Sequence, residues 1–400
     1  MNSASTSHPA DHAQPTLSSA MVALLAFCCG AVVANLYYAQ PIVELIAPAI
    51  GLSTQHASLI VSLTQFGYAI GLLFLVPLAD LLENRKLVIG FTLAVALCLA
   101  GAGLASAPSV LLACALLIGL TSVAVQILVP LAAHLAPEEA RGRVVGNIMG
   151  GLLLGILLAR PLASVIADHF GWRAVYLAAA AVMLAIMLVI FYTIPRHEPD
   201  HKASYAQLLN SLIGLLRSQP VLRQRALYQG LMFAGFSLFW TTAPIELARQ
   251  HGLSQSAIAV FALVGAIGAI AAPLAGRLAD AGHTRRASML AMGLAPLAFL
   301  LGVSGPGYSV VGLAITGVLL DFAVQMNMVL GQREIYALDP KSRGRLNALY
   351  MTSIFVGGAF GSAVASPLYE AAGWPAVALL GAALPTIALA AFLWNARRRG

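Results

Sequence analysis

Four ionisable side chains interrupt long apolar runs of the sequence: Asp321, Arg160, Glu44 and Glu246. A charge at mid-bilayer costs about 2.5–3.5 kcal/mol on insertion scales, so such a residue is a functional candidate by default. Asp321 falls near the middle of its run, and Arg160 lies in the outer half of another, at comparable depth. Two chemistries fit an acid and a guanidinium so placed. One is a structural ion pair. The other is a coupling site, in which Asp321 exchanges a proton and substrate competes for it beside Arg160. Glu44 and Glu246 stand near run ends, just after a repeated Pro-Ile pair, which suits interfacial positions.

A second set lies in loops: Asp80 with Arg85 and Lys86, and Asp280 with Arg285 and Arg286. A carboxylate at a helix end can cap a neighbouring N-terminus and pair with arginine. An ordinary solvated loop charge is the plain alternative.

The elements that position these residues follow from composition. Of 400 residues, 60% are apolar and 9% charged. Soluble domains carry roughly 25% charged residues, so the solvent here is lipid. A spanning helix needs roughly 20 apolar residues. Twelve such spans are predicted: 18–46, 56–79, 86–106, 109–134, 143–167, 171–194, 224–248, 256–279, 286–304, 308–333, 345–368 and 374–395. Breakers separate them, among them Gly51-Leu52-Ser53, Ala107-Pro108 and Gly305-Pro306-Gly307. Residues 1–17 read as a disordered tail and not as a signal peptide, since they lack a basic start and a cleavage site. Residues 195–223 read as a linker and 396–400 as a basic tail. Within the linker, Gln207–Arg217 fits either a helix lying on the membrane surface or a plain solvated segment.

Alternate loops are basic: Arg85/Lys86, Arg141/Arg143, Arg285/Arg286 and Lys341/Arg343/Arg345, with more cations in 195–223 and the C-terminal tail. The loops between them hold only Arg173 and Arg249. By the positive-inside rule both termini face the cytoplasm of a bacterial-type inner membrane. The net charge of +7 is therefore topological, with no call for nucleic acid. The four cysteines sit in apolar runs with no metal or disulfide spacing, and no cofactor is implied.

The second half echoes the first. Pro41-Ile42 matches Pro244-Ile245, Gly51-Leu52-Ser53 matches Gly252-Leu253-Ser254, and Leu78-Ala79-Asp80 matches Leu278-Ala279-Asp280. Ala124-Val125-Gln126 matches Ala323-Val324-Gln325, and Gly171-Trp172 matches Gly373-Trp374. Six spans separate the copies, so both halves share one orientation, as parallel repeats about an axis along the membrane normal.

The loop after the second span, Pro77-Leu78-Ala79-Asp80-Leu81-Leu82-Glu83-Asn84-Arg85-Lys86, resembles the Gly-x-x-x-Asp-Arg-x-Gly-Arg-Arg motif of the major facilitator superfamily. Its second copy, Gly276-Arg277-Leu278-Ala279-Asp280 with Arg285-Arg286, is nearer the motif. Val76, Leu81 and Glu83 depart from it in the first copy. The resemblance covers about 18–395. It implies an all-α membrane protein with twelve transmembrane helices in two six-helix bundles, 18–194 and 224–395. Within the superfamily the chain is most similar to the twelve-helix drug and metabolite efflux branch, although Arg160 stands where that branch has glycine before Pro161.

The resemblance further implies roles. Asp80, Arg85, Lys86, Asp280, Arg285 and Arg286 would form the inner gate. Spans one, four, seven and ten would line the substrate cavity, offering Asn35, Tyr37, Tyr38, Gln40, Gln126, Tyr228, Phe239, Trp240, Thr241, Gln325 and Asn327; about half should face it, given the width of a helix face. Aromatic walls with a few amides suit an amphipathic organic molecule. Spans two, five, eight and eleven would form the seam between halves. Their small-residue faces are Gly67/Gly71, Gly151/Gly155, Gly268/Ala272/Gly276 and Gly357/Gly361, and packing within one half is physically as good a use for them. His134, at the end of span four, fits an interfacial position better than a proton relay.

Other classes fail on motifs. No phosphate loop is present: the lysines follow Arg85, His201 and Pro340, never glycine. No His-Glu-x-x-His or Gly-x-Ser-x-Gly occurs, so an enzyme is not expected. The expectation is a monomeric secondary transporter using alternating access, with protons and a small molecule as partners. Proton-coupled efflux of a drug-like compound or metabolite comes first. Uptake symport of a sugar or organic anion is second, and a transport-dead sensor a remote third.

Overall fold

The computed structural model describes residues 18–196, 198, 204–303 and 308–398. The expected tail at 1–17, the last two residues of the tail expected over 396–400, and the Gly305-Pro306-Gly307 break lie outside the described residues, and the last helix runs into that C-terminal tail as far as Arg397.

The apolar runs become helices. α1 is Ser19–Ala34, continued after a break by Gln40–Ile42 and Val43–Ala49. α2 to α6 are Thr54–Asp80, Asn84–Leu104, Pro108–Leu135, Arg141–Phe170 and Trp172–Thr193. α7 is Pro220–Arg249, α8 Gln255–Asp280, α9 Thr284–Leu301 and α10 Val310–Tyr336. The final run, Arg343–Arg397, is two helices, α11 (343–372) and α12 (374–397), parted at Gly373. These are the twelve expected spans. Large side chains such as Leu97, Leu104, Leu290 and Val311 are exposed, as a lipid-facing belt requires.

Two repeat pairs have a backbone reason. Gly171 and Gly373 have φ of 81° and 66°, and Gly51 and Gly252 have 74° and 62°. Left-handed backbone favours glycine, so both copies keep it at the same turns.

α1 corrects the continuous span expected over 18–46. Pro41 has no N–H to give the Tyr37 carbonyl, and the Gln40 N–H donates there instead at 3.3 Å. The chain unwinds over 35–39, carrying Tyr37 and Gln40 out of helical register. In the linker, Tyr205–Ser218 is a helix opened by a Ser204/Gln207 capping box, with Leu208 and Leu212 buried. The segment is therefore helical with its apolar side against the protein, and the Tyr205 hydroxyl ties it to the Phe74 carbonyl at 2.9 Å.

α7 is buried on every side from Met232 to Leu247, so it is the central helix of its half. Across the halves, α2 packs on α11 and α5 on α8, which is the expected seam. The small-residue faces point elsewhere. A side chain at Gly155 or Gly151 would strike α1 at Gly30 or Ala26, and one at Gly357 or Gly361 would strike α7 at Gly230 or Ala234. Those at Gly67 and Gly71 would meet α4, and those at Gly268 and Gly276 would meet α10. The glycines thus weld each half, and the seam is polar: Ser62 donates to the Ala359 carbonyl at 2.7 Å, and Gln65 to Ser237 at 2.9 Å. Interlocked backbones resist sliding, whereas a few hydrogen bonds can be exchanged.

Candidate functional site

The break in α1 brings Tyr37 and Gln40 beside Arg160 of α5. The Arg160 Nε–H donates to Gln40 Oε1 at 2.7 Å. Its guanidinium carbon lies 4.4 Å from the Trp240 ring centroid, 5.2 Å from Tyr37 and 5.4 Å from Phe236. On the other side, Trp240 Nε1–H donates to Asp321 Oδ1 at 2.7 Å. One indole therefore bridges the two charges, with its face to the cation and its edge to the carboxylate. Arg160 and Asp321 are both buried, and they make no ion pair within 4.0 Å. The direct structural pair entertained from the sequence is replaced by a relay that crosses from the first half, on α5, to the second, on α7 and α10.

Asp321 is admitted by glycine. Residues 263–270 of α8 form a 3₁₀ helix, which sets positions three apart in line. Gly265 and Gly268 thereby share the face toward α10. A Cβ on either would come within 2.6 Å of Asp321, at Oδ2 and Cβ respectively.

The remaining cavity candidates divide. Tyr38, Gln126 and Gln325 are half-buried, and the Gln126 amide donates to the Tyr68 hydroxyl at 3.0 Å. Asn35 is buried and turned to Met183 of α6, its amide donating to the sulfur at 3.4 Å. Asn327 donates to Gln229 at 2.7 Å, tying α10 to α7. Phe239 packs on Phe299 of α9 and Trp374 of α12, so it belongs to the core of the second half and not to the central site. Tyr228 likewise turns to Phe392 and Asn395 of α12.

At the basic end, where the cationic loops gather, Asp280 pairs with Arg333 of its own half. Asp80, Arg285 and Arg286 are exposed. Arg85 reaches the Phe191 carbonyl, and Lys86 lies 3.6 Å from Glu83. A cavity of about 790 Å3 opens there along α1 and α5, lined by Ser19, Ala26, Arg143, Asn147 and Gly150 among others.

The far end is closed by a clamp the sequence reading missed. Arg249 of α7 donates to Glu44 of α1 at 2.7 and 3.0 Å, and to Glu370 of α11 at 2.6 Å. Ser256 of α8 bonds Asp168 of α5, and the Ser58 hydroxyl accepts from the Ser366 backbone N–H at 3.2 Å. Glu246, expected at an interface, is buried and accepts from the Tyr369 hydroxyl at 2.7 Å. The ties of Arg249 to Glu44, Ser256 to Asp168 and Ser366 to Ser58 cross between the halves at the far end, whereas the cavity at the basic end is lined by the first half alone.

Partly exposed ion pairs contribute about 0.2–1 kcal/mol each, so losing both partners of Arg249 should shift a two-state balance several-fold. Arg249→Met is expected to speed maleimide labelling of Ser366→Cys by that factor, in a chain whose four native cysteines are replaced. An unchanged rate would mean the clamp does not hold the far end.

The sequence matches the Major Facilitator Superfamily profile over residues 22–337 and 226–400. The chain is 41% identical to the uncharacterized transporter YgaY of Escherichia coli O157:H7, over 93% of this chain and 95% of that one. In fold it is similar to a bacterial homolog of the human lysosomal transporter Spinster in an inward-facing, occupied conformation, at a TM-score of 0.73 and 15% identity over 95% and 97% of the two chains. It is similar also to a D-xylose–proton symporter, at a TM-score of 0.71 and 17% identity over 92% and 96%. With its parallel repeat, its two six-helix halves and this match along the chain, the protein belongs to the Major Facilitator Superfamily.

Proposed function

We propose that this transporter is proton-coupled, and that it exports an amphipathic drug-like compound or small metabolite in exchange for protons. The observation that carries the reading is the buried Asp321–Trp240–Arg160 relay between the halves. An intramembrane carboxylate in such a place is the natural proton carrier. It is spaced from its counter-charge by a hydrogen-bonded indole, so a proton or a substrate can perturb the relay without prying apart a tight ion pair. The aromatic lining suits an amphipathic molecule.

In this reading residues 18–194 and 224–395 move as two bodies about that layer, linked by 195–223. The basic loops support a topology with both termini in the cytoplasm of a bacterial inner membrane, and the proposed unit is a monomer. The ties between the halves at the far end support reading this as an inward-facing state. Asp80, with Arg85 and Lys86, and Asp280, with Arg285 and Arg286, would close that end in the alternate state.

A second reading, proton symport of an organic anion, is favoured by one feature: Arg160 keeps N–H groups that nothing in the protein accepts.

Everted vesicles with an acid interior separate the two. A panel of dyes and small metabolites is added and lumenal pH is followed. Proton release on addition of a compound supports exchange. Proton movement in the same direction as the compound supports symport. Silence toward every compound, with folded protein in the membrane, would remove proton coupling.

A further inference from the structure

We propose that Arg160 and Gln40 form a carboxylate-binding subsite, and that the substrate is an organic anion bearing a flat apolar group, of the arylalkanoate kind. This rests on the reading of the chain as a transporter with its site between the halves. It holds for either direction of coupling.

The first ground is hydrogen-bond accounting. Buried polar groups are almost always paired, and an exception needs a reason. Arg160 is 4% exposed, yet its protein hydrogen bonding stops at the Nε–H donated to Gln40. Its Nη2 is buried with no acceptor, and so is Nε2 of Gln40. The guanidinium and the amide are joined through Nε and Oε1, so both orphans belong to one bonded unit. Two donors with no acceptor suit an anion.

The second ground is a comparison inside the molecule. Arg225 of α7 is as deeply buried, but its fork is filled. Nε and Nη2 donate to the two oxygens of Glu334 at 2.7 and 2.5 Å, and Nη1 donates to Ser288 at 2.9 Å. This is how the fold satisfies an arginine used for structure. Arg160 is treated otherwise. Its nearest acid is turned toward the indole N–H, and three aromatic rings hold its cation through their faces, which leaves N–H groups free. A planar carboxylate matches the free edge of a guanidinium, and the aromatic surroundings made by Tyr37, Phe236 and Trp240 suit a flat apolar group attached to it.

The test is binding, read apart from flux. Purified protein is titrated with indole-3-acetate against indole-3-acetamide, and phenylacetate against phenylacetamide, by thermal shift. Each amide keeps the ring and removes the charge. The acids are expected to bind at least about tenfold tighter than their amides. Arg160→Met should abolish that preference, and Arg160→Lys, which keeps charge without the fork, should retain part of it. Equal binding of acid and amide, or binding by neither pair, overturns the proposal. So does an acid preference unchanged in folded Arg160→Met. Should that variant not fold, the acid–amide comparison in the wild type decides alone. Flux in vesicles is scored separately. Acid binding without flux removes the transport reading and leaves the subsite, whereas flux of neutral compounds without acid binding does the reverse.

Discussion

Asp321→Asn is expected to reduce substrate-driven proton movement to the level of protein-free vesicles while leaving downhill substrate exchange within a few-fold of wild type. The substitution changes little else. Asparagine has the same shape, so the tight fit against Gly265 and Gly268 is kept. Its amide oxygen can still accept from the Trp240 indole N–H, so that buried donor stays satisfied. Only the exchangeable proton is lost. Asp321→Ala lacks this economy: it leaves the indole N–H without an acceptor, at about 1–3 kcal/mol, and opens a void beside the two glycines. Folding would fall together with transport, and coupling could not be read from the result. Substrate-driven proton movement and its pH dependence surviving in Asp321→Asn would sink the coupling role and return the residue to structure.

The fold was largely legible because the bilayer imposes length and polarity on every span. Twelve apolar runs and an ordered series of repeated turns were sufficient, and the glycines of those turns proved to have the left-handed backbone that keeps them. The seam helices were legible through the resemblance, but the orientation of their glycines was not. A small-residue face signals only that some backbone comes close, and nothing in its spacing says that the backbone is that of Gly30 or Gly230. The site was legible in part. In-span charges pointed to Arg160 and Asp321, which the structure buries on either side of Trp240. That Trp240 would join them depended on rotation about α7, which is buried all round and so carries no amphipathic phase to read. Phe239, one residue earlier, turns instead to α9 and α12 for the same reason. The Arg249 clamp escaped because Glu44 read as interfacial, Arg249 as a loop cation, and Glu370 lies just past the expected span 345–368. Arg225 and Glu334 escaped at the span edges 224 and 333. The helices run to Pro220 and Tyr336, so both residues fall inside spans.

That last pair gives an asymmetric prediction for stability. Arg225 is fully enclosed, with a side-chain exposure of 4%, while Glu334 keeps 36%. Breaking a buried ion pair costs about 3–5 kcal/mol, mostly because the survivor is left charged and unpaired. The identity of the survivor should therefore set the cost. Glu334→Ala strands the buried guanidinium, with the Ser288 hydroxyl and the face of Phe392 beside it but no carboxylate paired to it. It is expected to cost most of those 3–5 kcal/mol, seen as a large fall in Tm in detergent. Arg225→Met strands a carboxylate that is already one-third hydrated, and a flexible apolar chain fills the vacated space. A cost of about 1–2 kcal/mol follows, nearer to that of a partly exposed pair. The combined Arg225→Met, Glu334→Ala variant should be more stable than Glu334→Ala alone, since it removes the stranded charge. A Glu334→Ala cost no greater than that of Arg225→Met would sink this account. The pair joins α7 to α10, the two helices that carry Trp240 and Asp321. A second half loosened here would hold the indole and the carboxylate less firmly, so Glu334→Ala should weaken transport coupling from a position remote from the relay. Glycine-welded helices and a filled arginine fork make each half stiff, and stiffness within the halves is what lets a rearrangement at the relay become a movement between them.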